Sequence, residues 1–220
     1  MIYETNFPDI LIKNTEDNPE IFSRDSNYSI KFAMTKEDSY DLEEYSLFLE
    51  SSIRAFRHSV SYTHYKAHIM NLGIDCCQFH PHITSEMASL EMHHCMMTIY
   101  DIAMLISEHV LNVRGMLTEF DLSEILRYEH FHNNIPIVML CKNCHDKYHN
   151  QYLYVHPNMI FGKWWTLLER YNKGIDQFTA GMLHKVANYL DQASEDKFKI
   201  KEERARKLLE LRESIKSWRI

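Results

Sequence analysis

From Glu43 to about Asn71, Tyr45, Phe48, Leu49, Ile53, Phe56 and Val60 recur at steps of three or four, the spacing of one helical face. This predicts at least one helix, or two, over 43–71, with Gly73 as the stop. The period changes at Ser89–His93, where Leu90 and Met92 alternate with Glu91 and His93, as in a short strand with two unlike faces. Thr98-Ile99-Tyr100-Asp101 has the Thr-x-x-acid spacing of a capping box, and Ile102, Leu105, Ile106, Val110 and Leu111 follow at helical intervals. Gly115 marks a break, and a further helix is expected to start at Asp121-Leu122-Ser123-Glu124, ahead of Ile125, Leu126 and Phe131. Ile137-Val138-Met139-Leu140 reads as a second strand. Beyond His149, Tyr152, Tyr154, Val155, Phe161, Trp164, Trp165, Leu168 and Tyr171 form a bulky cluster that reads as core rather than as a base-stacking platform. Helical segments follow through Tyr189.

The two ends differ from this middle. The first forty residues alternate short apolar pieces such as Ile10-Leu11-Ile12 with breaks such as Asn14 to Pro19, which suggests turns and short strands. From Asp196 onward, acids and bases at steps of three or four, such as Glu203 and Lys207, predict a charged helix. The expected fold is therefore α+β and predominantly helical. It divides into an acidic segment 1–42, a helical segment 43–75 packing on the core, a core 76–150 with a helical insertion at 98–132, and an aromatic-rich helical region 151–220.

Composition narrows the function classes. At 45% hydrophobic and 25% charged, the chain of 220 residues reads as a soluble globular protein. A formal charge of −7 argues against indiscriminate coating of nucleic acid, which relies on counterion release by many cations, so any DNA contact must be local. No apolar run is long enough to span a bilayer, and the start lacks the basic and apolar regions of an export signal. Five cysteines, with a CxxC beside histidines, fit metal binding in a reducing cytoplasm better than a disulfide framework.

Two windows hold the candidate chemistry: Leu90-Glu91-Met92-His93-His94 and Cys141 to His149. On a strand, adjacent histidines point to opposite sides, so one can bind a metal while the other faces substrate. On a helix, His145 and His149 share a face and can clamp one ion. Three imidazoles would leave coordination positions for a phosphate oxygen and a leaving group, and the remaining histidine can take a proton from water near neutral pH. Cys141 and Cys144 have zinc-knuckle spacing. Cys77 and His80 would complete the four ligands, with Cys76 the alternative to Cys77; the competing reading is that these cysteines are small core residues. Arg54, Arg57 and Lys66 on the first helical segment are candidates for phosphate contact, against the alternative of a solvated face.

A strand with His-His, a later strand running into Leu-Cys-x-x-Cys-His, and a histidine four residues on resemble the HNH nucleases and their ββα-metal core. The stretch from Cys77 through Thr98–Ile102, Phe120-Asp121, His130-Phe131 and Ile137–Cys141 to His149 resembles HNH-type proteins encoded by large tailed bacteriophages, over roughly residues 50 to 185. The resemblance implies His93, His145 and His149 as ligands of Mg²⁺ or another divalent ion, His94 as general base, and a separate structural zinc. It also implies hydrolysis of DNA to a 5′-phosphate and a 3′-hydroxyl in the host cytoplasm. The chain differs from the family at Met96, where a proline is usual, and at Pro136, where an asparagine is common. The alternative reading is a non-catalytic regulatory factor on the same scaffold, with the acidic segment or the last helix as a protein-docking element.

Overall fold

The computed structural model describes residues 33–172 and 177–195. The acidic segment up to residue 32 and the charged tail from 196 lie outside the described residues. Within them, β1 (Ala33–Thr35) leads into α1 (Leu42–Arg57) and α2 (Val60–Asn71). Then come β2 (Leu90–His94), α3 (Ile99–Arg114), β3 (Met116–Thr118), α4 (Glu119–Phe131) and β4 (Ile137–Cys141). The series closes with α5 (Lys142–His149), α6 (Trp165–Arg170) and α7 (Gln177–Glu195). The fold is α+β and mostly helical, with two small antiparallel sheets, β1–β3 and β2–β4.

The periodic stretch 43–71 is two helices because a cap interrupts it. Ser59 is extended, and its hydroxyl accepts from the Tyr62 N–H, restarting the helix after His58. The buried stripe of α1, Tyr45, Phe48, Leu49, Ile53 and Phe56, packs chiefly on α4, whose inner face is Leu122, Ile125 and Leu126. Thr98 and Asp101 form the expected capping box of α3, and Gly115 ends that helix at φ 76°, a left-handed value glycine adopts freely. The start of α4 differs from the expectation. Thr118 is the cap, and Asp121 is the reciprocating acid three residues in rather than the capping residue itself. The insertion between β2 and β4 is also not purely helical, since Met116–Thr118 pairs with Ala33–Thr35.

β4 is buried along its whole length, as the continuous apolar run requires. On one side it pairs with β2 in the register Leu90↔Cys141, Met92↔Met139 and His94↔Ile137. On the other, Ile137 and Phe161 exchange backbone hydrogen bonds of 3.2 and 2.8 Å. The loop before β4 is held from the rear by Glu129, which is wholly buried. Its carboxylate accepts from Asn134 Nδ2 at 2.6 Å, from the Tyr171 hydroxyl at 2.6 Å, and from Arg170. A buried charge is tolerated only with such partners. Of the aromatic-rich region, Val155, Trp164, Leu168 and Tyr171 join the core as expected, whereas Tyr152 is 83% exposed.

Gly162 fixes how closely residues 161–163 approach this loop. Its φ is 101°, and a Cβ there would sit 2.3 Å from the Ile135 carbonyl oxygen and 3.1 Å from that of Asn133. Both neighbours are backbone, so the clash cannot relax by a rotamer change. Gly162→Ala is expected to cost about 2 kcal/mol or more in chemical denaturation, whereas the same change at Gly181, which has open space, should cost little. Equal effects would show that the close approach is not needed.

Candidate metal centres

The antiparallel pairing of β2 with β4, followed directly by α5, places both sequence windows around one short helix. Cys141 is the N-cap of α5 and is extended, with no capping bond from its thiol. Cys144 lies in the first turn and is buried, while His145 and His149 follow on the more open side.

The first centre joins Cys77, His80, Cys141 and Cys144, whose ligand atoms all lie within 4.8 Å of one another. His80 Nδ1 is 3.9 Å from Cys77 Sγ, 3.8 Å from Cys141 Sγ and 3.3 Å from Cys144 Sγ. Tetrahedral zinc with ordinary Zn–N and Zn–S bonds would separate such atoms by about 3.6 Å, inside that spread. The Cys77–His80 turn is closed by Cys77 N–H to Ile83 O at 2.9 Å and His80 N–H to Cys77 O at 3.0 Å, and docked on β4 by Gln78 N–H to Met139 O at 3.0 Å. The neighbouring Cys76 pairs through its backbone with Thr84 and lies outside the group, so Cys77 is the third thiol.

Electrostatics in this group favour a cation. Burial pushes the Cys77 thiol up, but backbone N–H groups of Cys141, Phe79 and His80, with the His80 ring, outweigh it and bring it down to about 7. Cys144 is pushed up to about 12 by burial and by the adjoining Cys141 and Cys77 sulfurs. Three thiolates cannot share this space without a positive charge between them, and a divalent ion such as zinc supplies it.

The second centre joins His93, His145 and His149, whose ligand nitrogens also lie within 4.8 Å of one another. His145 Nε2 and His149 Nε2 are 3.1 Å apart; two nitrogens bound to one transition ion stand about 3.0–3.4 Å apart. The His93 ring meets those of His145 and His149 edge-on, at centroid distances of 5.2 and 4.8 Å. Burial, then the neighbouring His149, His145 and Arg57, holds the His93 imidazole down to about 4, so at neutral pH it is uncharged, as a ligand must be. Glu91, two residues earlier on the same face of β2, brings Oε2 to 3.2 Å from His145 Nδ1. The Nδ1–H therefore donates to the carboxylate and Nε2 keeps its lone pair, the arrangement that orients metal-bound histidines. Three imidazoles suit zinc, copper, iron or nickel better than Mg²⁺, which prefers oxygen ligands.

His94 turns to the opposite side of β2, is 6% exposed, and places Nε2 3.0 Å from His130 Nε2. His130 Nδ1 is 2.6 Å from the Leu126 carbonyl oxygen, which can only accept, so Nδ1 carries the proton and Nε2 does not. His94 Nε2–H must then donate to His130, leaving the lone pair of His94 on Nδ1. Phe56, Tyr62 and Tyr65 surround the His130 ring. Burial, then His130, Arg57 and His93, holds His94 well below the usual range; burial together with Arg57 brings His130 to about 4, against an opposing pull from the Leu126 bond.

The three cations differ. Arg57, exposed at the end of α1, lies close enough to act electrostatically on His93, His94 and His130. Arg54 is exposed three residues earlier on α1. Lys66, the third candidate for phosphate contact, donates to the Leu90 carbonyl at 2.8 Å and so anchors β2. Sequence reasoning missed Glu91 and His130 as orienting partners. The alternation of β2 carried a signal for Glu91; nothing local to residue 130 linked it to His94.

Met96 and Pro136 also acquire physical reasons. Met96 has φ 69°, which a proline ring cannot reach, so the loop after β2 takes a path closed to proline. The Pro136 carbonyl accepts from Cys95 N–H at 3.1 Å, extending the β2–β4 ladder, and the nearby carboxamide of Asn134 ties the loop to α4 instead.

The buried histidine pair predicts a pH dependence. Since His130 is lowered to about 4 in the fold and is near 6.5 when unfolded, the unfolded chain binds its proton first as pH falls. Stability is unaffected by this group above about pH 6.5 and declines by about 3 kcal/mol between there and pH 4. Urea denaturation of a His130→Gln variant should show a shallower fall over that window than the parent protein. Identical slopes would mean that His130 is not buried neutral.

Comparison with known proteins bears on descent. No curated protein and no solved structure matches the chain, and no HNH family model matches it. A family model described as "Bacteriophage G278-like virion protein" matches residues 2–216, nearly the whole sequence, so this phage protein belongs to the bacteriophage G278-like virion protein family.

Proposed function

We propose that the chain is a metal-dependent endonuclease of HNH type, hydrolysing DNA phosphodiester bonds, with a structural zinc at Cys77, His80, Cys141 and Cys144. The observation that carries the reading is the convergence of His93, His145 and His149 where an antiparallel strand pair meets a helix, beside a separate thiol-rich group on that same helix. A strand–strand–helix order with one histidine from the first strand and two from the helix is what the resemblance to the ββα-metal core implies.

A divalent ion held by the three imidazoles would polarise a phosphate oxygen and stabilise charge on the leaving group. The residues of the chain have distinct parts. Glu91 fixes the His145 tautomer, so that the ring presents Nε2. His94 is the base that the resemblance implies: Nε2–H is given to His130, the lone pair is on Nδ1, and the ring is buried on the opposite face of β2 from His93, so the attacking water must reach Nδ1 from that side. Its lowered pKa keeps it unprotonated at neutral pH. Arg57 supplies positive charge beside these rings for the scissile phosphate, a local attraction within a chain of net charge −7. The division at 43–75 and 76–150 then separates a phosphate-facing helical segment from the metal-bearing core.

The family description favours a second reading, in which the same two metal groups are staples of a non-catalytic virion component. Incubating the purified protein with supercoiled plasmid and Mn²⁺, with and without EDTA, separates the two. The nuclease reading expects nicked and linear products, their loss in EDTA, and a fall of at least about 100-fold for His94→Gln and His149→Ala, with the zinc at the cysteine group retained. Intact plasmid from protein carrying both metals would leave the structural reading.

A further inference from the structure

Tyr148 and His149 of α5 also lie near Tyr189 of α7. Together with Gln151, Leu153, Tyr154 and Tyr189 they line a cleft of about 630 Å³. His149 belongs both to this cleft and to the histidine centre. Tyr148 stands between the two, its ring packed edge-on against that of His93 at 4.6 Å. The cleft and the histidine centre therefore adjoin, sharing His149.

The tyrosine hydroxyls of this cleft are already engaged. Those of Tyr148 and Tyr189 meet the Cys95 thiol at 3.5 and 3.4 Å, and Tyr189 also donates to the Val155 carbonyl. The Tyr154 hydroxyl donates to the Tyr189 carbonyl at 3.1 Å, and the two rings lie 4.9 Å apart at 35°. With these hydroxyls bonded within the protein, the tyrosines offer a ligand ring surface, beside polar groups that also line the cleft. Gln151, exposed and held at φ 60°, and the exposed His149 supply polar groups at the margin. Flat π surface with polar groups at the margin suits a planar, heteroaromatic ligand, and a volume of this size accepts a nucleotide.

We infer that the cleft is a base-binding subsite, which takes an unpaired nucleobase of the strand whose phosphate lies at the His93–His145–His149 centre. The inference rests on the nuclease reading above and deepens it, because a base can enter such a cleft only when it is not stacked inside a duplex. The substrate class is then DNA with a single-stranded or locally unpaired segment: a duplex stays outside the cleft, and a free strand gains stacking on the tyrosine walls.

The test is binding without cleavage. Fluorescence anisotropy in EDTA, with the zinc content of the cysteine group checked, would compare a labelled twelve-nucleotide dT strand, the same strand paired with dA, and the strand with one abasic position moved along its length. The single strand should bind at least about ten-fold more tightly than the duplex, and one abasic placement should weaken it by roughly ten-fold while the others do little. Tyr154→Leu should reproduce that loss for the intact strand and add nothing to the sensitive abasic strand. Equal affinity for strand and duplex, or indifference to every abasic position, would overturn the inference. The abasic arm needs no protein variant, so it holds even if Tyr154→Leu fails to fold. Plasmid nicking without strand preference would remove this subsite and leave the nuclease reading standing. Strand binding sensitive to a base, without nicking, would do the reverse.

Discussion

The antiparallel pairing of Leu90–His94 with Ile137–Cys141 is the constraint from which the rest of the site follows. Because side chains alternate along β2, this register sends Glu91 and His93 to one face and Leu90 and His94 to the other. Because β4 runs into α5 without a connecting loop, it also delivers Cys141, Cys144, His145 and His149 within reach of residues about sixty positions earlier. A slip of one residue would exchange His93 with His94 and dismantle the histidine centre. The register is secured from several sides: Lys66 on the first carbonyl of β2, Gln78 on Met139, Phe161 on Ile137, and the Glu129 network behind the preceding loop.

One short helix therefore carries ligands for two candidate centres of different chemistry. A metal in the thiol-rich group would fasten the 77–83 turn to the end of β4, and the histidine group includes the exposed His149, which also lines the aromatic cleft. The division suits their ligands. Sulfur donors in a buried pocket make a closed, four-ligand site, while three imidazoles with an exposed His149 leave room for further ligands. Glu91 and His130 act one step back, each fixing the tautomer of the histidine beside it.

What could be read from the chain depended on whether the determining contacts were local. Helices α1 to α4, the capping box at Thr98, the alternation of β2 and the i, i+4 pair on α5 are encoded within a few residues, and those expectations and the structure agree closely. The start of α4 was misplaced by about a turn because Asp121 resembles a cap when Thr118 is not recognised as its partner. The third strand was missed because Met116–Thr118 is a strand only through its pairing with Ala33–Thr35, over eighty residues away. The same limit hid the role of His130, which only α4 packing on α1 brings under His94. The bond from Lys66 to the Leu90 carbonyl was equally hidden, since a cation on a polar helix face gives no sign of which strand carbonyl it meets.

The central claim, that α5 carries two distinct metal centres, is tested most directly by X-ray absorption at the zinc edge on protein saturated with zinc. The account predicts two ions per chain. One shell should hold three sulfurs at about 2.3 Å and one nitrogen at about 2.0 Å, and the other only nitrogen and oxygen near 2.0–2.1 Å. The second should vanish in His149→Ala while the first persists. A single ion per chain with only the sulfur-rich shell would contradict the claim.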